Sequence, residues 1–265
     1  MSSRRLLGDV VLIVVGIGAL AWGRIPLLVL MAGLAVLASG EVFRQSRATG
    51  VTPAAMVGLA GSLSLLVVAH LEGDDATLFF PIVIEGVVVL MFVAYLARRV
   101  RSDVTDGLAL TVVPVVAIGM LAAYVVALRS GRDGFRTVLA LTVMAVANDV
   151  VSGLVDPRRG KRALAPTVRP SRTWEGLAAG VVATMIAAVA VGVAFSETFS
   201  MGTVLVLGVL VSAAAPLGDL SRAMLERDLR AEASQAIARA TVFRRIDGLL
   251  FSAPVFFYAF RLLER

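Results

Sequence analysis

The stretch Thr77–Ala97, TLFFPIVIEGVVVLMFVAYLA, holds one acidic or basic side chain, Glu85, in 21 residues. As an α-helix rising about 1.5 Å per residue it is about 31 Å long, the thickness of a bilayer's hydrocarbon core. Working outward, the same pattern recurs along the chain. Nine apolar runs of this kind are expected, at about 6–22, 25–43, 53–70, 77–97, 107–128, 136–155, 177–196, 201–218 and 246–263. Composition agrees: 58% of residues are hydrophobic, only 17% are charged, and the mean hydropathy is +0.90. A 265-residue water-soluble core could not hide that excess. The expected fold is an all-α polytopic transmembrane helical bundle. Residues 1–135 form its N-terminal helices and 136–265 its C-terminal helices with chemistry-bearing loops, in one integral membrane unit. The first run follows Arg4 and Arg5 like a signal peptide. It lacks a small-residue cleavage site before a soluble domain, so it reads as a retained helix.

The chain has no Cys, which excludes disulfides and cysteine-based metal or nucleophile chemistry. The net charge of +6 comes almost wholly from Arg, since Lys161 is the only lysine. These cations sit between apolar runs and so suit lipid headgroups and phosphates rather than nucleic acid. If the N-terminus is cytoplasmic, 19 of the 25 Lys and Arg residues fall in cytoplasmic segments, chiefly residues 158–172 and 222–245. Positive charge marks the inner side. The N-terminus is therefore expected inside, in a multi-pass protein of the inner (cytoplasmic) membrane. Glu85 lies deep in a span and reads either as a functional group or as a paired carboxyl. The single histidine, His70, reads as an interfacial polar residue.

Chemistry concentrates in the C-terminal half. Asn148 and Asp149 interrupt an apolar run near its end, where a carboxylate is costly without a cation or hydrogen bonds. For Asn148-Asp149 the alternative is a helix–helix polar contact. The basic loop Asp156–Arg162 can hold a phosphate or simply stay solvated. In Arg169-Pro170-Ser171-Arg172-Thr173-Trp174-Glu175-Gly176, Ser171 or Thr173 can cap the next helix, Trp174 suits the headgroup layer, and Glu175 suits a helix N-terminus. Asp219 follows Pro216-Leu217-Gly218, with Asp228 nine residues on, and Arg244-Arg245-Ile246-Asp247 opens the last run. Asp149, Asp219 and Asp247 thus sit at corresponding ends of three spans. Brought together among arginines, they would suit Mg²⁺ with substrate phosphates, and hence phosphoryl or nucleotidyl transfer.

These residues carry a family likeness. Asn148-Asp149, Gly160-Lys161, Leu164-Ala165-Pro166 and Pro170–Gly176 resemble the phosphatidate cytidylyltransferase (CDP-diacylglycerol synthase) pattern N-D…G-K/R…L-A-P…S-P-K-K-T-W-E-G. Gly218-Asp219-Leu220…Arg227-Asp228 is similar to its G-D-L-x-E-S-x-x-K-R-D, and Arg245–Pro254 to its D-R-I-D-S-L-L-x-A-P. The likeness covers residues 140–256 and implies a divergent member. Arg222-Ala223 stand where the pattern has Glu-Ser, Glu226 where it has Lys, and Arg244 where it has the first Asp. Ile237–Thr241 replace P-G-H-G-G, and Glu232-Ala233-Ser234 replace K-D-S.

The resemblance implies a Mg²⁺-dependent transfer from CTP to phosphatidic acid, giving CDP-diacylglycerol and pyrophosphate. It implies Asp219 and Asp247 as metal ligands. Asp149, Lys161, Arg172 and Arg245 would belong to the nucleotide and phosphate site, with Asp228 a supporting carboxylate. Asn148, Thr173, Trp174 and Glu175 join them as substrate-binding positions. The partners expected are CTP and membrane phosphatidic acid, no nucleic acid, and a homodimer is left open. Two other readings stand beside it. One is a catalytically degenerate paralogue that binds phospholipid, nucleotide or a membrane partner. The other is a small transporter using Asp149 and Glu85.

Overall fold

The structure, a computed structural model, describes residues 14–48, 50–98, 104–232 and 243–263. Helices dominate: α1 over residues 14–22, α2 Arg24–Ala48, α3 Ala55–Glu72, α4 Ala76–Arg98, α5 Val104–Pro114, α6 Leu121–Ser130, α7 Gly134–Arg159, α8 Trp174–Ala194, α9 Met201–Glu232 and α10 Phe243–Leu263. A π-helical stretch, Val115–Met120, joins α5 to α6 directly after Pro114. Two short strands, β1 Ala163–Ala165 and β2 Arg169–Thr173, pair antiparallel between α7 and α8. The expected all-α polytopic class holds, with this small hairpin as the addition. The expected first run, 6–22, begins outside the described residues, as do Ile237–Thr241.

Seven stretches among the described residues are long and apolar enough to cross a bilayer. The longest, Ala55–Ala97, has 43 residues, about twice what one crossing needs. It turns back on itself at the 3₁₀ turn Gly73–Asp75. Gly61 and Val87 lie equally far from that turn, and a Cβ on Gly61 would stand 3.5 Å from the Val87 Cβ. The runs expected at 53–70 and 77–97 are therefore the two arms of a helical hairpin. The chain is a multi-pass membrane protein.

The chain divides into two compact units, Met1–Leu139 and Ala140–Arg265. In the first, α5 and α4 are each tied to the residues before α3. The Ala54 amide donates to Thr111 Oγ1 at 2.9 Å, and Tyr95 Oη donates to the Thr52 carbonyl at 2.9 Å. Apart from the exposed Glu85 midway, the outer face of α4 is apolar, through Leu78, Ile82, Val89, Val93 and Leu96. That is the surface a lipid-facing helix presents.

In the second unit α8 shows the same inside-out order. Its buried stripe is Gly176, Gly180, Thr184, Ala188 and Gly192 at fourfold spacing, while Val182, Ile186, Val189 and Val193 face outward. Small residues let helices approach where lipid removes the hydrophobic drive between them. A Cβ on Gly208 of α9 would come within 2.9 Å of the Ala188 Cβ. The core of α10 is Leu250, Ala253, Phe256 and Phe257, with Phe260 ring-packed on Phe199 at 5.4 Å.

Two polar connections differ from expectation. The run expected at 201–218 continues as helix to Glu232. Residues 220–232 are rich in Leu, Ala, Glu and Arg, which are strong helix formers. The Arg222–Glu226 pair adds i,i+4 support. The connection 156–176 is in part the β-hairpin, whose pairs are Ala163 with Thr173 and Ala165 with Arg169.

Candidate functional site

The site is built where α9 meets α10. A Cβ on Gly218 would stand 2.6 Å from the Asp247 carbonyl oxygen, so glycine is what lets α10 come this close. The approach makes Asp219 and Asp247 neighbours, and one guanidinium joins them. Arg222 is one turn after Asp219 and only 4% exposed. It donates Nε to Asp247 Oδ2 at 2.6 Å, Nη2 to Asp219 Oδ1 at 3.0 Å and Nη1 to Glu226 Oε1 at 2.6 Å. Asp247 Oδ1 accepts the Gly248 amide at 2.7 Å.

The β-hairpin adds two more cations. Between its two registered pairs β1 advances two residues and β2 advances four, from Arg169 to Thr173. Pro170 lies in that irregular stretch and has no N–H for a ladder. In a regular strand Arg169 and Arg172 would point to opposite faces. The bulge re-aims them, and both reach Asp219. Arg169 pairs with Asp219 Oδ1, and Arg172 Nε stands 3.6 Å from Asp219 Oδ2. Neither of the last two atoms has a hydrogen bond, and both are buried.

Behind them Asp156, near the end of α7, organises the loop. It accepts the Thr173 amide at 3.0 Å, the Thr173 hydroxyl at 2.8 Å and Arg172 Nη1 at 3.3 Å. Thr173 caps α8, its Oγ1 accepting the Gly176 amide at 3.1 Å. Glu175 in the first turn accepts the Lys161 and Arg162 amides at 3.2 and 3.4 Å. Trp174 is 56% exposed and, with Arg162, Glu175 and Ala178, lines an open hollow of about 450 Å³.

Burial above all, then the neighbouring Arg222 and Arg172, hold the Arg169 guanidinium below its ordinary pKa, while Asp247 and Asp149 act the other way. Arg169 is the most exposed of the three site arginines, at 28%. It is the cation best placed to meet an incoming anion.

The cytidylyltransferase family matches residues 3–263. The chain belongs to that family. It is 32% identical over 132 residues to the uncharacterized protein YnbB of Escherichia coli, covering 49% of this chain and 44% of that protein. It therefore spans less than half the length of that relative. Two phosphatidate cytidylyltransferases match more widely. That of Bacillus subtilis is 22% identical with 98% of each chain covered, and that of Mycobacterium leprae is 28% identical with 86% of this chain and 77% of its own length covered. At these identities the chain is a divergent member.

Within this cytidylyltransferase fold the expected residues divide. Asp219, Asp247 and Arg172 come together; Thr173 is tied to Arg172 through Asp156, and Glu175 holds the Lys161 and Arg162 amides. Asp149 is exposed, with its charge acting on Arg169. Asn148 is not open to a ligand: it is 1% exposed, and its Nδ2 donates to Thr184 Oγ1 of α8 at 3.0 Å. It is the helix–helix polar contact. Lys161 is exposed and contributes its amide to Glu175. The side chains of Asp228 and Arg245 lie outside the described residues.

The Mg²⁺ implied for Asp219 and Asp247 does not fit the donors around them. Asp219 faces three guanidinium groups, and both Asp247 oxygens already accept hydrogen bonds. Among the described residues no three His, Cys, Asp or Glu side chains form a metal ligand set. Three residues of the cluster stand outside the sequence expectation: Asp156, Arg169 and Arg222. The i,i+3 and i,i+4 spacing of Arg222 from Asp219 and Glu226 was the available signal, once α9 is continued past residue 218. For Arg169 the only signal is Pro170, which marks an irregular strand without showing which way Arg169 turns.

Proposed function

We propose that the chain is a CTP-dependent nucleotidyltransferase acting on phosphatidic acid. A phosphate oxygen of the lipid attacks the α-phosphorus of CTP, the α–β phosphoanhydride bond breaks, and pyrophosphate leaves with CDP-diacylglycerol as product. The supporting observation is the cluster of Arg169, Arg172 and Arg222 on Asp219 and Asp247, carried by a bulged hairpin, the interior of α9 and the start of α10. Phosphoryl chemistry depends mainly on positioning and on stabilising the charge that develops. Arg169 and the hollow at Arg162 and Trp174 provide cations and a stacking surface for the phosphates and base. This reading puts the site on the cytoplasmic face of the bacterial cytoplasmic membrane, where CTP is available.

The test supplies purified protein with labelled CTP and phosphatidic acid in mixed micelles. CDP-lipid and pyrophosphate should form in equal amounts. Arg169→Ala should lower the rate by about 10²–10³, the usual loss when one donor to a developing charge is removed. A second reading has its own support, since Arg222 neutralises the two carboxylates: a family member that binds nucleotide or lipid without turnover. CTP binding with no CDP-lipid above an Asp219→Ala/Asp247→Ala control would favour that one.

A further inference from the structure

The bridge at Arg222 bears on what this site can accept. Its three nitrogens hold three different carboxylates, two from α9 and one from α10, and the group is almost fully buried. A guanidinium stays charged at any working pH and matches carboxylates geometrically. Its place between Asp219 and Asp247 is where a shared divalent ion would sit. To enter, such an ion would have to expel Arg222 from its three partners. It would also have to take up position beside Arg169 and Arg172, both aimed at Asp219. Repulsion by Arg169 and Arg172 and the stranding of the buried Arg222 guanidinium both oppose that exchange.

We infer that Arg222 is a built-in cation that joins Asp219 to Asp247 in place of a divalent metal, so that this pair takes no Mg²⁺ or Mn²⁺ while Arg222 is present. Arg222 is then a positioning residue: it fixes the two carboxylates, and with Asp219 the Arg169 that pairs with it. What this means for turnover rests on the transferase reading, but the binding claim does not. A divalent ion carried in on a nucleotide's own phosphates is a separate species, so the test uses the metal alone.

Mn²⁺ binding is followed by electron paramagnetic resonance on detergent-purified protein without CTP or lipid. Wild type should bind no more Mn²⁺ than Asp219→Asn/Asp247→Asn. Arg222→Gln should gain one site at least tenfold tighter, about 1.4 kcal/mol, and that site should vanish in Arg222→Gln/Asp247→Asn. Arg222→Lys, which keeps the charge, should stay silent. Mn²⁺ bound by wild type and lost on Asp247→Asn would overturn the inference, as would a folded Arg222→Gln with no gained site. If Arg222→Gln fails to fold, the wild-type comparison decides alone. Loss of transferase activity in every sample would sink the functional reading and leave this result untouched.

Discussion

Asp156 accepts three hydrogen bonds, from the Thr173 amide and hydroxyl and from Arg172, and its carboxylate lies against Gly176. Removing it leaves the buried Arg172 guanidinium with Asp219 alone, a loss approaching that of a buried pair broken on one side, about 3–5 kcal/mol. Thr173→Ala removes a helix cap and should cost about 1 kcal/mol. Unfolding in detergent micelles should therefore rank Asp156→Ala well below Thr173→Ala in stability; an equal loss would reduce Asp156 to a surface acid. Gly176→Ala should be as damaging as Asp156→Ala, because its Cβ would collide with Asp156 Oδ1. At this scale the sequence is partly legible. Thr173, Glu175, Asp219 and Asp247 stand out as polar residues bordering apolar runs. Asp156 does not, because in sequence it is one acid ahead of a basic tract. Arg222 does not either, since an expectation of metal ligands looks for acids and passes over the cation between them.

At the scale of elements, apolar run length locates most helices because lipid demands about 20 residues per crossing. It cannot locate the β-hairpin. Three residues of β1 and the Arg-Pro-Ser-Arg-Thr of β2 show no alternation, and their bulge depends on pairing rather than on local preference. Nor does run length reveal how α9 outlasts its apolar portion. That extension is held by Arg222–Glu226 and by Arg227 donating to the Thr167 carbonyl in the hairpin turn. The α3–α4 hairpin gives a direct check, because the chain lacks cysteine. The Cβ positions of residues 61 and 87 are 3.5 Å apart, within the range for a disulfide. Gly61→Cys/Val87→Cys should form an intramolecular bond on mild oxidation, whereas a continuous helix would hold the two about 39 Å apart and give none. In the same way Gly218→Val should separate α10 from α9, lowering stability and transferase rate together.

For the molecule as a whole, charge decides orientation, because short loops rich in Lys and Arg remain on the cytoplasmic side. The segment from Arg158 to Arg172 holds six of the chain's 25 Lys and Arg, and it carries the hairpin that supplies Arg169 and Arg172 to the site. The turn after α3 is acidic, with Glu72, Asp74 and Asp75. A cytoplasmic N-terminus places the hairpin inside, beside soluble nucleotide, and the acidic turn outside. The opposite orientation would put the arginine cluster where no CTP is supplied, so topology and the proposed reaction stand or fall together. Single cysteines test this on the native cysteine-free chain. Asp75→Cys and Arg132→Cys, both at exposed positions, should react with a membrane-impermeant maleimide in intact cells. Arg47→Cys and Lys161→Cys, also exposed, should react only after the membrane is opened. The reverse labelling pattern would place the site on the outer face and remove CTP as its substrate, even if Mn²⁺ binding and the α3–α4 disulfide behaved as expected.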